Sequence, residues 1–405
     1  MISDFTLVGN RQDPYFIYNS LREQSALWQS PIYGHWVLSR YEDVKLAAKS
    51  KNLIMDQSDI PTRPGTEWRN NIELLQQLKN TPFGSDGIMH DRMQQALIGA
   101  LSRTRVAEER SKIQSLVHKI IDKHIKNGTM DFVNDLAHPL ALCSVFSLVG
   151  INQDIIDQVA YNSVEVLGKN AIIKLLIPGM GSLTRDDVVQ AVRTHKKLIE
   201  YAKLSIVENK INPSNNLISV LLSAVDRNEI TEEEMLSNLF AIQYTSLDGA
   251  PSLLGNTIIA LDNFPEQKKL LINDITLVPE TIKETLRYDT AVQAFVRVVS
   301  DEFTVRDKTL TNGTIVIGLI GSANRDPDVF PDPDQFDILR ENKNHLSFST
   351  GVHKCLGAAL ITMVAEEMLT AVYSRLPNIR IKPGTVLEYT DPWMIRGVKH
   401  LPVVW

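Results

Sequence analysis

Phe348-Ser349-Thr350-Gly351-Val352-His353-Lys354-Cys355-Leu356-Gly357 is the stretch on which the reading of this chain turns. One thiol stands between two glycines. It is followed by an apolar run, Leu356, Ala359, Leu360, Met363 and Val364, whose spacing predicts a helix starting just after Cys355. A cysteine at a helix N-terminus meets unpaired backbone N–H groups and the positive end of the macrodipole. This placement predicts a lowered thiol pKa and a thiolate able to ligate a metal. Gly351 and Gly357 remove side chains where a flat ligand would approach the backbone, and Gly351 also suits a turn with positive φ. Phe348 is placed to shield the sulfur. Zinc is a poor competitor, because one thiol without a Cys-x-x-Cys or a His pair at helical spacing cannot fill four ligand positions. A lone cysteine is more often buried and inert, but the pattern around this one favours ligation.

Outside this stretch the composition is that of an ordinary folded chain. The 405 residues are 43% hydrophobic and 22% charged, which excludes a disordered, collagen-like or disulfide-scaffold protein. A net charge of −6 gives no global pull toward nucleic acid or anionic lipid. Cys143 and Cys355 are the only cysteines, so a reducing, cytoplasmic location is expected. The N-terminal segment carries Asp4 and no unbroken apolar run, so it reads as neither signal peptide nor anchor. The apolar span 171–183 is interrupted by Lys174, Pro178, Gly179 and Gly181, and no membrane span is expected. No repeat or linker divides the chain, so residues 1–405 are expected to form one domain.

The coarse elements follow from periodicity. Trp28 to Tyr41 suits a short hairpin between helices. Apolar residues at three- and four-residue spacing from Arg105 to Asn263, such as Ile113, Leu116, Val117, Ile120 and Ile121, predict a long helical block. A helix ending near Tyr288 gives way to a β-rich run, Phe295 to Ser300. Asn312-Gly313 between apolar residues predicts a two-residue hairpin. Asn324 to Pro333 reads as a meandering loop, and the last residues return to short strands. The fold class is mainly α with small β-sheets.

F-x-x-G-x-H-x-C-x-G, as it stands in Phe348–Gly357, resembles the haem-binding signature of the cytochrome P450 family, soluble bacterial type. The resemblance implies a single-domain cytochrome P450 fold and Cys355 as the axial thiolate of haem b (iron protoporphyrin IX). Glu284-Thr285-Leu286-Arg287 is similar to the family's E-x-x-R pair, three apart on one helix face. Asp13-Pro14-Tyr15, Arg40-Tyr41-Glu42-Asp43-Val44, Asn324-Arg325-Asp326-Pro327 and Phe330-Pro331-Asp332-Pro333 extend the likeness over essentially the whole chain. By the same resemblance His90, Arg297 and His353 are implied as partners of the haem propionates. Two departures stand out. Gln94 replaces an arginine, with Arg92 as the alternative propionate ligand. Gln335 replaces an arginine or histidine beside Glu284 and Arg287.

Leu239 to Asn256 resembles the long helix crossing the distal haem face, where the family usually shows an acid followed by a threonine. Here the pair is Asp248-Gly249, so the alcohol that takes part in oxygen activation and proton delivery is absent. Pro251 is expected to kink the helix against the Leu247 carbonyl. In the leading reading Asp248 with water, Ser246 or Thr245, or a substrate hydroxyl, replaces the threonine. A second reading is oxidative, phenol-type coupling without oxygen insertion. Peroxide use ranks last, because Asp-Gly stands where peroxide-using relatives carry Arg-Pro.

The implied pocket lies around Phe83–Ile88, 172–180, Tyr244–Asp248, Val292–Phe295 and Trp393-Met394, and suits a bulky hydrophobic or aromatic small molecule. The resemblance implies a monomer acting in secondary metabolism, with electrons from a ferredoxin-type partner and its reductase. Lys354, Lys343 and Arg340 are candidates for a basic docking patch. Neither nucleic acid nor membrane is an expected partner. From a different class, a non-catalytic haem-binding module would also account for Gly249.

Overall fold

The computed structural model describes residues 12–25, 27–31, 34–55, 73–158, 184–390 and 393–405. In chain order the described helices are α1 (Tyr15–Gln24), α2 (Tyr41–Lys49), α3 (Glu73–Lys79), α4 (Gly87–Ile98), α5 (Arg103–Ala107), α6 (Arg110–His124) and α7 (His138–Val149). They continue with α8 (Arg185–Ile211), α9 (Leu217–Asp226), α10 (Glu232–Thr245), α11 (Gly249–Asn263), α12 (Pro265–Asn273), α13 (Val278–Tyr288), α14 (Ile320–Ala323) and α15 (Ala358–Arg375). The strands are β1 (Leu27–Gln29), β2 (Trp36–Leu38), β3 (Leu53–Ile54), β4 (Thr129–Asp131), β5 (Ala294–Val299), β6 (Glu302–Val305), β7 (Lys308–Thr311), β8 (Ile315–Leu319), β9 (Arg380–Ile381) and β10 (Pro402–Val404).

Helix starts follow local chemistry. Thr231 and Glu234 form a reciprocal capping box on α10, with Glu232, Glu233 and Glu234 in its first turn opposing the macrodipole. Thr184 and Asp187 do the same for α8. Buried faces of α6 to α13 and α15 merge into one large helical core. The one described stretch long and apolar enough to cross a bilayer, Phe132–Val149, is 78% buried inside this core.

A five-stranded sheet of order β1-β2-β8-β5-β3 flanks the helices. β1 and β2 form the expected early hairpin, with Leu27 opposite Leu38. β8 runs parallel to β2 and antiparallel to β5, placing Arg297 opposite Val316. β5 is buried at all six positions because helical and sheet cores cover both faces.

Three expectations about elements need correction. The Asn312-Gly313 turn forms, with Gly313 at φ +79° and the Thr314 N–H donating to the Thr311 carbonyl at 3.1 Å. It does not close a hairpin, because β7 pairs with β6 while β8 pairs with β5 and β2. The hairpin lies one strand earlier, where Arg306-Asp307 joins β6 to β7 and Arg306 takes φ +55°. The helical block also contains a strand, β4, which exists because the C-terminal β10 reaches back to pair with it. Finally, the distal helix is two helices. α10 ends at Thr245 and α11 begins at Gly249, so Pro251 sits in a first turn, where its missing N–H leaves no carbonyl unsatisfied, rather than at a mid-helix kink.

Candidate active site

Cys355 lies three residues before α15, whose N-cap is Gly357. Its N–H donates to the Phe348 carbonyl at 2.9 Å, and the Lys354 N–H donates to the Gly351 carbonyl at 3.2 Å, closing the loop on itself. The Phe348 ring meets His345 edge-on at 5.8 Å. Gly351 takes φ +76°, and a Cβ there would meet the Ala48 carbonyl oxygen of α2 at 2.6 Å. That glycine therefore answers a turn and a close backbone approach, not a flat ligand. At Gly357 a Cβ would meet only the Cys355 sulfur, at 3.9 Å.

The expected fall in the thiol pKa is not what the fold produces. Burial raises it, while the backbone N–H groups of Gly357 and Ala358 and the charge of Lys354 pull the other way. The helix-end donors are present, but the protein packed around the thiol, which is itself accessible, outweighs them.

α13 carries Glu284 and Arg287, both with 0% exposure. Arg287 Nε and Nη2 donate to the two Glu284 oxygens at 2.9 and 2.8 Å. The remaining N–H groups reach the carbonyls of Asn324, Pro333 and Gln335 at 3.1, 2.9 and 2.9 Å. Gln335 thus enters the network through its backbone. The second cation comes instead from Arg340, whose Nε donates to Glu284 Oε1 at 3.2 Å. Arg340 and Lys343 are 9% and 8% exposed, the latter paired with Glu280. Both side chains are held by these carboxylates, so of the three candidates for a basic docking patch only Lys354 is exposed.

The three implied propionate partners converge. His90, buried on α4, meets the His353 ring at 4.7 Å. His353 Nε2 lies 3.0 Å from Asp86 Oδ1, and the Asp86 carboxylate also acts electrostatically on Arg297. Arg297, 6% exposed on β5, makes among the described residues one hydrogen bond, Nη1 to the Val296 carbonyl at 2.8 Å. Burial lowers its pKa to about 10. A guanidinium taken out of water, near Asp86 but in direct contact with no carboxylate among the described residues, suits an anionic ligand. Gln94 Nε2 donates to the Val352 carbonyl of the cysteine loop at 3.0 Å. Arg92 is not the substitute, because it pairs with Glu234 and donates to the Glu229 carbonyl at 2.9 Å. Sequence reasoning missed Asp86, although Ser-Asp-Gly ahead of a helix is a recognisable start signal.

On the distal side the Ser246 and Thr245 hydroxyls donate back to Gln243 and Ile242 carbonyls at 2.6 and 3.3 Å. In this arrangement neither replaces the missing threonine. Asp248 occupies the N-cap of α11 without capping it, and burial raises its carboxyl to about 7. At Gly249 a Cβ would meet only Val292 Cγ2, at 3.9 Å. Of the expected pocket segments, 172–180 lie outside the described residues. The 800 Å³ surface groove between Asn263–Gln267 and Pro331–Asn342 is lined by Gln335 and Arg340 of the Glu284 network, and by neither the thiol nor Asp248.

The donor set fits a flat, dianionic, iron-bearing cofactor: one thiol with two N–H donors, a buried arginine without an ion pair among the described residues, and two touching histidines. Known proteins agree. Residues 256–391 match the Cytochrome P450 family. The chain is 27% identical over 408 residues to cytochrome P450 107B1 of Saccharopolyspora erythraea, covering 97% of this chain and 95% of that one. It is 26% identical to the biotin biosynthesis cytochrome P450 of Bacillus subtilis, covering 97% and 96%. The crystal structure of CalO2 superposes with a TM-score of 0.89 at 25% identity, covering 100% of this chain and 98% of that one.

Proposed function

We propose that this chain is a cytochrome P450, with haem b as its cofactor, and that it oxidises a bulky hydrophobic or aromatic small molecule in secondary metabolism, as one haem-thiolate domain in the cytoplasm. Electrons come from a ferredoxin-type partner and its reductase, and the protein works as a monomer. When bound, haem supplies an iron that activates dioxygen. Cys355 ligates that iron, the Gly357 and Ala358 N–H groups temper its negative charge, and Arg297, His90 and His353 hold the propionates. Glu284 and Arg287 brace the loop structure beneath. Asp248, near its midpoint at neutral pH, holds and passes a proton at its carboxyl in the position beside Gly249.

The observation that carries this reading is Arg297, buried on β5 and making, among the described residues, no hydrogen bond beyond its own backbone neighbour. The test is Cys355→Ser with haem supplied. The native protein is expected to give the red-shifted carbonyl band of a thiolate-ligated ferrous haem, and the variant to lose it. An unchanged band in the variant would end the assignment. Oxidative coupling is the second reading, favoured because both neighbouring hydroxyls are committed to α10 carbonyls. Gly249→Thr separates the two: under the coupling reading it shifts product from coupled to oxygenated, and under the first reading it leaves an already oxygenated product.

A further inference from the structure

We propose that Asp248 and Tyr244 together recognise a substrate that carries a protonated basic nitrogen. The inference rests on the oxidase reading above and adds a substrate class to it.

Asp248 stands at a helix N-cap, where an aspartate normally accepts from the N–H groups at the second and third helical positions. Here the third position is Pro251, which has no N–H, and the Asp248 side chain makes no capping bond. It has no ion pair or hydrogen bond among the described residues either, and burial is the only influence that shifts its titration. Asp248 is half-buried, and a carboxylate drawn part-way out of water without a donor or a cation is stabilised when a ligand supplies one.

Tyr244 lies one turn before Asp248, at the end of α10. It is 4% exposed, stacked on Phe240 with ring centroids 5.9 Å apart and an 18° tilt. Its hydroxyl, like the carboxyl, has no hydrogen-bond partner among the described residues, and the Asp248 charge is felt there. Beyond Asp248, Gly249 offers open space bounded only by Val292. These features combine a carboxylate with no cation among the described residues, an aromatic hydroxyl one helical turn away that feels its charge, and space at Gly249. An ammonium satisfies all of them: it neutralises the carboxylate, lies against the ring face and donates to it. A neutral alcohol would use one acceptor and leave the charge uncompensated.

The test uses the haem-loaded protein at pH 8 and matched pairs of probes. Each pair is a phenylalkyl-trimethylammonium ion of one to four methylenes and its neutral tert-butyl isostere. A quaternary nitrogen has no lone pair and cannot ligate iron, so equilibrium dialysis and the haem spin-state shift both report cavity binding. At least one pair is expected to favour the cation tenfold or more, equivalent to about 1.4 kcal/mol. Asp248→Asn should abolish that preference, Tyr244→Leu should reduce it several-fold, and Tyr244→Phe should retain most of it. Equal binding within every pair, binding of neither member of any pair, or a preference that survives Asp248→Asn overturns the proposal. Tighter binding of the corresponding neutral alcohols would overturn it in favour of a hydroxyl-bearing substrate. The carbonyl band is read on the same samples: a normal band without cation preference refutes this inference alone, whereas a missing thiolate band refutes the oxidase reading.

Discussion

Substituting Arg287 by alanine tests the part of the structure that supports the cysteine loop. The side chain has 0% exposure and makes five hydrogen bonds, two to Glu284 and one each to the Asn324, Pro333 and Gln335 carbonyls. Its removal leaves Glu284 with the Asp337 N–H at 3.0 Å and Arg340 Nε at 3.2 Å. It also leaves three carbonyls without this donor. Breaking a buried pair by removing one partner costs about 3–5 kcal/mol, against a total stability of about 5–15 kcal/mol for a typical protein. The residual Arg340 contact places the expected loss toward the lower end of that range, at about 3 kcal/mol. Glu284→Gln keeps the shape and an acceptor but strands two cations, and the double variant should be destabilised by less than the sum of the singles. The assay is urea unfolding of the haem-loaded protein, followed by far-ultraviolet circular dichroism and haem absorbance together. A loss below about 1 kcal/mol for Arg287→Ala, the range of an exposed pair, or strict additivity in the double variant, would refute the reasoning.

Gly351→Ala places a Cβ 2.6 Å from the Ala48 carbonyl at a residue with φ +76°; it should cost about 1–3 kcal/mol and speed haem loss, read by transfer to apomyoglobin. Arg297→Leu removes a buried cation that makes no ion pair among the described residues. Thermal stability of the haem-free protein should hold or rise, while the haem-transfer rate increases by roughly ten- to 150-fold, matching loss of a charge-assisted bond of about 1.5–3 kcal/mol; a lower haem-free melting temperature with unchanged haem retention would contradict this. Asp248→Asn should change the pH dependence of stability. Burial raises the folded carboxyl to about 7, above its ordinary 3.8, so the native protein loses stability as pH rises from about 4 to 7 and bears the full cost above 7. The variant should gain in melting temperature over the native protein at pH 8 and match it at pH 4.

Much of the site was legible because its logic is local. The cysteine loop announces itself in ten consecutive residues, and its turn, its helix start and its thiol are all neighbours in sequence. Glu284 and Arg287 were legible for the same reason, since a three-residue spacing puts them on one face of α13. Arg340 was not, because nothing near it in sequence says that its guanidinium folds back 56 positions to Glu284. The error at Asn312-Gly313 has the same origin: the turn chemistry was read correctly, but which strands meet depends on β2 and β5, far away in the chain.

The sequence by itself determined the class of elements, the thiol loop, the paired charges and the absence of an alcohol after Asp248, because periodicity, turn propensity and residue identity act within a few residues. Only the tertiary structure decided that Arg92 belongs to Glu234, that Arg297 makes no ion pair among the described residues, that the distal helix breaks before Asp248, and that the protein around Cys355 lifts its thiol. Each of those depends on which distant groups share a space, and on how much water that packing removes from them.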